Sequence, residues 1–155
     1  QDFSSSEIRR VMRRHRHVPR VLRDESGQYT VIINGVFFTF YQYLFPVTFP
    51  RRWPDVIRLP DLLTLAAMKA HALGRRAKWK DYVDLYFILE DGYTISHIVT
   101  RAKRIFKKEF NEHFFRQQLS YFKDINYSEV IEFMPGYIVD KKKIQRRLIE
   151  ESLAR

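Results

Sequence analysis

The stretch QYTVIINGVFFTFYQY, residues 28–43, decides the fold class, because its two apolar runs meet at Asn34-Gly35. That dipeptide is the strongest short-range signal for a two-residue hairpin turn, whose two central positions both need positive φ. A two-residue connection sets Ile33 opposite Val36. With a side-chain period of two, Tyr29, Val31, Ile33, Val36, Phe38 and Phe40 then share one face, which is expected to pack on helices. Residues 18–23 read as a further strand, joined to Gln28 through an Asp-Glu-Ser-Gly turn. The sum is a three-stranded antiparallel meander.

Helical signals flank it. Ser4 with Glu7 three residues later is a capping-box spacing, and Ile8, Val11 and Met12 supply an apolar stripe for a helix to about His15. Its other faces are basic: Arg9, Arg10, Arg13, Arg14, Arg16, Arg20 and Arg23 occur with no acid between Glu7 and Asp24. Phosphate contact, docking of an acidic neighbour and simple solvation all fit that pattern. Downstream, Pro46, Pro50 and Pro54 interrupt the chain before the apolar residues 56–59, and Pro60 is expected to open a helix. Helices are expected over residues 62–73, closed by Gly74, and from Lys78 to before Gly92, the second carrying Tyr82, Leu85, Tyr86 and Leu89. Further helices are expected over residues 94 to about 110, 112 to about 122, and 140–153, with 128–137 ambiguous. The class is α+β: an antiparallel meander packed against a C-terminal helical bundle. One domain over 1–155 is expected, with the helix and strands in 1–59 and the helical part in 60–155.

Composition narrows the function. With 155 residues, 45% hydrophobic and 30% charged, the chain can bury its own core, and a formal charge of +10 favours polyanionic partners. The absence of cysteine excludes disulfides and thiolate metal sites and points to a cytoplasmic origin. No membrane segment is expected, since Asn34-Gly35, Gln42 and Pro46 break the uncharged stretch 26–50 and its apolar residues alternate. A start at Gln1 suggests that the natural N-terminus lies upstream.

Residues 61–89 carry the chemistry. They run Asp-Leu-Leu-Thr-Leu-Ala-Ala-Met-Lys through Arg75-Arg76 to Lys-Asp-Tyr-Val-Asp-Leu-Tyr-Phe-Ile-Leu. The pattern resembles the AbiEii/AbiGii toxin family of nucleotidyltransferases. It places a lysine in an Ala-Met-Lys context, then Arg-x-x-x-Arg/Lys-Asp-x-x-Asp-Leu-Tyr. The Ile-Asn-Gly-Val pair of strands and the Tyr-x-Phe-Pro segment, residues 43–46, also match its central region.

The resemblance implies catalytic roles for Lys69 and Asp84, phosphate contacts for Arg76 and Lys80, and a supporting place for Asp81. It implies Mg²⁺ as cofactor, an NTP as donor, a tRNA end, other RNA or a protein as acceptor, and a cognate antitoxin. An ammonium point charge suits a triphosphate, and a carboxylate can position or deprotonate an acceptor hydroxyl. Asp81 and Asp84, three apart on a helix, share a face. On residue type alone these read by default as a solvated helix surface with an ion pair.

Relatives open with a Gly-Ser turn and an Asp-x-Asp metal pair. Asp2 could be the second aspartate of such a pair, leaving the chain incomplete or inactive as it stands. Lys69→Ala and Asp84→Ala are each expected to abolish transfer in the full-length protein and leave the thermal midpoint nearly unchanged. The alternative is a non-catalytic basic module that binds RNA or an acidic partner protein. Arg101, Lys103, Arg104, Lys107 and Lys108, with Lys141, Lys142, Lys143, Arg146 and Arg147, would line an RNA groove if they converge and serve solubility if they do not.

Overall fold

The computed structural model describes residues 3–54 and 56–154 and is mixed α+β. The chain divides into two compact units, Gln1–Phe45 and Pro46–Arg155.

The first unit holds α1 (Ser5–Arg14) and the antiparallel strands β1 (Arg20–Glu25), β2 (Gln28–Ile33) and β3 (Val36–Tyr41), in the order β1-β2-β3. Ser4 caps α1, its hydroxyl accepting from the Glu7 amide at 3.3 Å. Asn34 and Gly35 take φ of 50° and 80°, and Ile33 pairs with Val36, the register the turn chemistry demands. The inner face packs on α1: Met12, Tyr29 and Val31 are buried, with Phe3, Ile8, Ile33 and Phe40 against them. Val36 and Phe38, expected on the same covered face, are 55% and 41% exposed: they lie on the edge strand β3, outside the cluster around Met12. Val11 is likewise exposed, so the apolar stripe of α1 narrows to Ile8 and Met12. Arg9 ties helix to sheet through an ion pair with Asp24, its guanidinium 5.3 Å from the centre of the Tyr29 ring.

The outer face is set by the same register. A bulge between Val21 and Arg23 keeps the strand in phase, so three cross-strand rows form: Arg20, Ile32 and Phe37; Arg23, Thr30 and Thr39; Glu25, Gln28 and Tyr41.

The second unit begins with a short hairpin, β4 (Arg51–Trp53) against β5 (Ile57–Leu59). Sequence pattern suggested only the latter strand, since Pro50 and Pro54 read as breakers; both fall outside the paired residues. Then follow α2 (Leu62–Leu73), α3 (Trp79–Glu90), α4 (Ile95–Phe106), a 3₁₀ turn (Lys107–Glu109), α5 (Glu112–Ser120) and α6 (Lys141–Leu153). Pro60 does not open α2: Asp61 is the cap, its carboxylate accepting from the Thr64 amide at 2.7 Å, and the proline stands before it. The helix expected over 94–110 ends at Phe106, and Thr94 and His97 form a reciprocal capping box at its start.

Ala66, Ala67 and Ala70 let α2 pack closely on α3 and α4, while α3 buries Tyr82, Leu85, Tyr86 and Leu89 as the central helix. Residues 121–139, which include the ambiguous stretch 128–137, form neither helix nor strand. Backbone bonds from Asn126 to Ala77 at 2.7 Å and from Trp79 to Asn126 at 3.0 Å pin that segment to the α2–α3 loop.

Arg116 of α5 closes the C-terminus of α6. Its guanidinium donates to the Ser152 carbonyl at 3.2 Å and the Ala154 carbonyl at 2.7 Å, with Glu112 holding Nε at 3.0 Å. Arg116→Ala strands those carbonyls and is expected to cost about 1–2 kcal/mol. Thermal unfolding followed by circular dichroism should show a midpoint lower by about 2–8 °C. No described helix is long and apolar enough to cross a membrane.

Candidate functional site

α2 and α3 run side by side and bring three of the sequence-predicted residues together. Lys69 Nζ lies 2.8 Å from Asp81 Oδ1 and 2.6 Å from Asp84 Oδ2. The three-residue spacing on α3 separates the two carboxylates by about 60° around the helix, which gives them different environments. The Asp81 side chain is 0% exposed and that of Asp84 is 46% exposed, with Lys69 between them at 19%. The cluster therefore has a buried end and an open end.

Lys69 must carry charge here. Burial alone would push its ammonium pKa down, but the hydrogen bonds to Asp81 and Asp84 and their negative charges outweigh this, and the net shift is upward. Asp81 Oδ1 accepts from Lys69, whereas buried Oδ2 makes no hydrogen bond among the described residues and has Arg76 Nε at 3.7 Å as its nearest cation. The Arg76 side chain is 55% exposed, so it reaches over the buried end from solvent.

Lys80 is drawn elsewhere. It and Lys78 both form ion pairs with Glu129, whose carboxyl their hydrogen bonds hold well below the usual range, at about 2. Glu129 belongs to the segment that sequence pattern left ambiguous. Its partners lie some fifty positions away, so no local signal marks it. Asp2 lies outside the described residues.

Four of the other helical cations are drawn to separate partners. Arg101 bonds Asp61 at 3.2 Å and Thr64 Oγ1 at 2.7 Å, joining α4 to the start of α2; burial pushes the Asp61 carboxyl up, but the hydrogen bonds from Thr64, followed by the charge and hydrogen bond of Arg101, hold it below its ordinary value. Lys103 pairs with Glu112 at 2.6 Å, and Arg147 with Glu90 at 3.5 Å and Glu151 at 3.0 Å. Lys141 stands 3.6 Å over the Tyr127 ring and 5.6 Å from that of Trp79. A cavity of about 170 Å³ lined by His71, Arg75, Glu109 and Phe114, among others, takes in none of the candidate residues.

The residues present do not make a metal site. Among the described residues no three acidic or histidine side chains gather as Mg²⁺ would require, and the two carboxylates that do meet enclose an ammonium. What the cluster can do is hold a permanent positive charge in a fixed place and present a half-exposed carboxylate beside it.

Comparison with known proteins converges on the same span. A family model described as nucleotidyl transferase AbiEii toxin, type IV TA system, matches residues 15–150. An uncharacterized protein of Aquifex aeolicus (strain VF5) is 27% identical over 128 residues, covering 79% of this chain. The chain spans about 60% of the length of that curated relative. No solved structure matches.

Proposed function

Because this chain belongs to the AbiEii nucleotidyl transferase toxin family of type IV toxin-antitoxin systems, matched over residues 15–150, we propose that Lys69 and Asp84 form the reacting end of a site that transfers a nucleotide from an NTP to RNA. A tRNA end is the first acceptor to test. The observation that carries the reading is Lys69 held at 2.8 Å and 2.6 Å between a buried and a half-exposed carboxylate, in the segment that carries the family's motif.

Each residue has a distinct task. Asp81 fixes the ammonium from the buried side, so Lys69 meets a triphosphate already oriented and charged, without reorganisation at the moment of reaction. Asp84, open to solvent, positions the acceptor hydroxyl and takes its proton as that oxygen bonds to the α-phosphorus of the NTP and the bond to the β-phosphate breaks, releasing pyrophosphate. Arg76 adds a guanidinium for phosphate oxygens, its fork matching them in a bidentate way. Lys80 joins it if phosphate displaces Glu129. Nucleotidyltransferases of this family generally use a divalent metal, and Mg²⁺ would supply charge neutralisation at the phosphates. The described residues do not fit it, so its ligands would lie elsewhere in the full-length protein, Asp2 being the residue proposed for that role.

An NTP donor, a cognate antitoxin and a cytoplasmic setting complete the proposal. The test is incubation of full-length protein with Mg²⁺, each α-³²P-labelled NTP in turn and total tRNA, followed by denaturing electrophoresis. Label in RNA from one or more NTPs is the expected outcome. Label in none, with the protein folded, would leave the basic binding module as the better account.

A further inference from the structure

We infer that the outer face of the meander binds single-stranded nucleic acid, with Phe37 and Tyr41 each stacking a base and Arg20 holding the phosphate backbone. The proposal rests on RNA being the acceptor in the reading above, but binding is measured here without transfer.

The aromatic placement comes first. The inner face of the sheet is occupied by α1, whereas Phe37 and Tyr41 project from the other face at 68% and 65% exposure. They lie four positions apart on one strand, about 13 Å at the usual rise, too far for one base to touch both rings. Between them runs the row of Thr30 and Thr39, their hydroxyls 3.2 Å apart. A protein-binding patch wants a contiguous apolar centre depleted of charge. Separate π faces divided by hydroxyls, with Arg20 on the Phe37 row and Glu25 on the Tyr41 row, are instead what a flexible single strand recognises, through stacking, polar contacts to sugar and base edges, and phosphate pairing at the Arg20 end.

The cations are of the matching kind. The first 68 residues contain ten arginines and no lysine. Guanidinium pairs with phosphate in a bidentate way and stacks on planar rings, which ammonium does not. Arg9 is committed internally to Asp24 and Tyr29, and Arg23 leans on Glu25 at 3.0 Å. Arg20 is exposed at the end of the sheet where the Phe37 row lies, four positions after exposed Arg16. Positive charge therefore borders one aromatic row, and a strand laid across the face meets it there.

The experiment titrates the full chain into a fluorescein-labelled oligouridine of about 12 nucleotides, within the site sizes of stacking folds, and reads fluorescence anisotropy. Phe37→Ala with Tyr41→Ala should weaken binding by about tenfold or more. Phe37→Leu with Tyr41→Leu, which keeps apolar bulk and removes the π faces, should do the same and decides the matter if the alanine variant fails to fold. Arg20→Gln should lower the slope of log affinity against log salt by about one. The titration contains neither NTP nor Mg²⁺, so a parent that binds the oligonucleotide yet transfers no label separates failure of the transfer reading from failure of this proposal. Equal binding by parent and the leucine variant would overturn the proposal. So would a parent that sediments as a dimer which the double substitution dissociates, since the face would then join two copies of the chain.

Discussion

Replacing Lys69 with methionine is expected to lower stability by about 3 kcal/mol at neutral pH and to abolish transfer in the full-length protein. Asp81 is 0% exposed and loses the ammonium that donates to Oδ1, the side-chain donor it has there among the described residues, so a buried carboxylate is left uncompensated. Removing one partner of a buried pair costs about 3–5 kcal/mol, and Arg76, still 3.7 Å from the other oxygen, argues for the lower end. In a chain of this length that corresponds to a midpoint lower by about 6–12 °C. The expectation from sequence that a Lys69 substitution would leave the midpoint unchanged is therefore replaced, because the buried position of Asp81 was not visible there. Combining Lys69→Met with Asp81→Asn removes the stranded charge and should restore most of the midpoint. Purely additive losses in that pair would contradict the geometry.

Alkali should act on the same bridge. A lysine whose folded pKa lies above its ordinary 10.5 contributes stability that is fully present below pH 10.5 and lost as pH rises through the higher folded value. Denaturant midpoints of the parent should therefore fall above that pH, and those of Lys69→Met should fall less. Parallel curves for the two proteins would remove the ion bridge from the account.

Asp84→Asn carries a large expected effect on chemistry with little on folding. The side chain is 46% exposed, so its loss should change stability by less than about 1 kcal/mol. Transfer should fall by roughly 10²–10⁴, the usual range for removing a general base. If Asp84 acts on the acceptor, kcat falls while the KM for NTP stays near that of the parent. A raised KM with unchanged kcat would instead assign it to NTP binding.

How far these features could be read from residues alone depends on the distance over which each is determined. Asn34-Gly35 specifies its own turn, and the turn specifies the register of Ile33 with Val36, so the meander was legible. The C-terminal end of α2, closed by Gly74, and the start of α6 at residue 140 were legible for the same reason, whereas the opening of α2 was assigned to Pro60 and is capped by Asp61 instead. Lys69 and Asp84 were reached by family motif, and their proximity follows from two adjacent helices joined by a short loop. The division of labour between Asp81 and Asp84 was not legible, since residues three apart share a face and only packing decides which one is sealed. Arg101, Lys103, Lys141 and Arg147 looked like groove-lining cations because their partners Asp61, Glu112, Tyr127 and Glu90 are distant in sequence. Glu129 escaped notice for that reason too, although it pairs with both Lys78 and Lys80.

Incorporation of α-³²P-NTP into tRNA by the full-length protein carrying both Lys69→Met and Asp81→Asn tests the account most directly, since that variant keeps the fold while removing the ammonium. The account predicts a midpoint close to the parent's and no label in RNA. Labelling at the parent's rate would show that Lys69 holds the helices together and takes no part in the reaction.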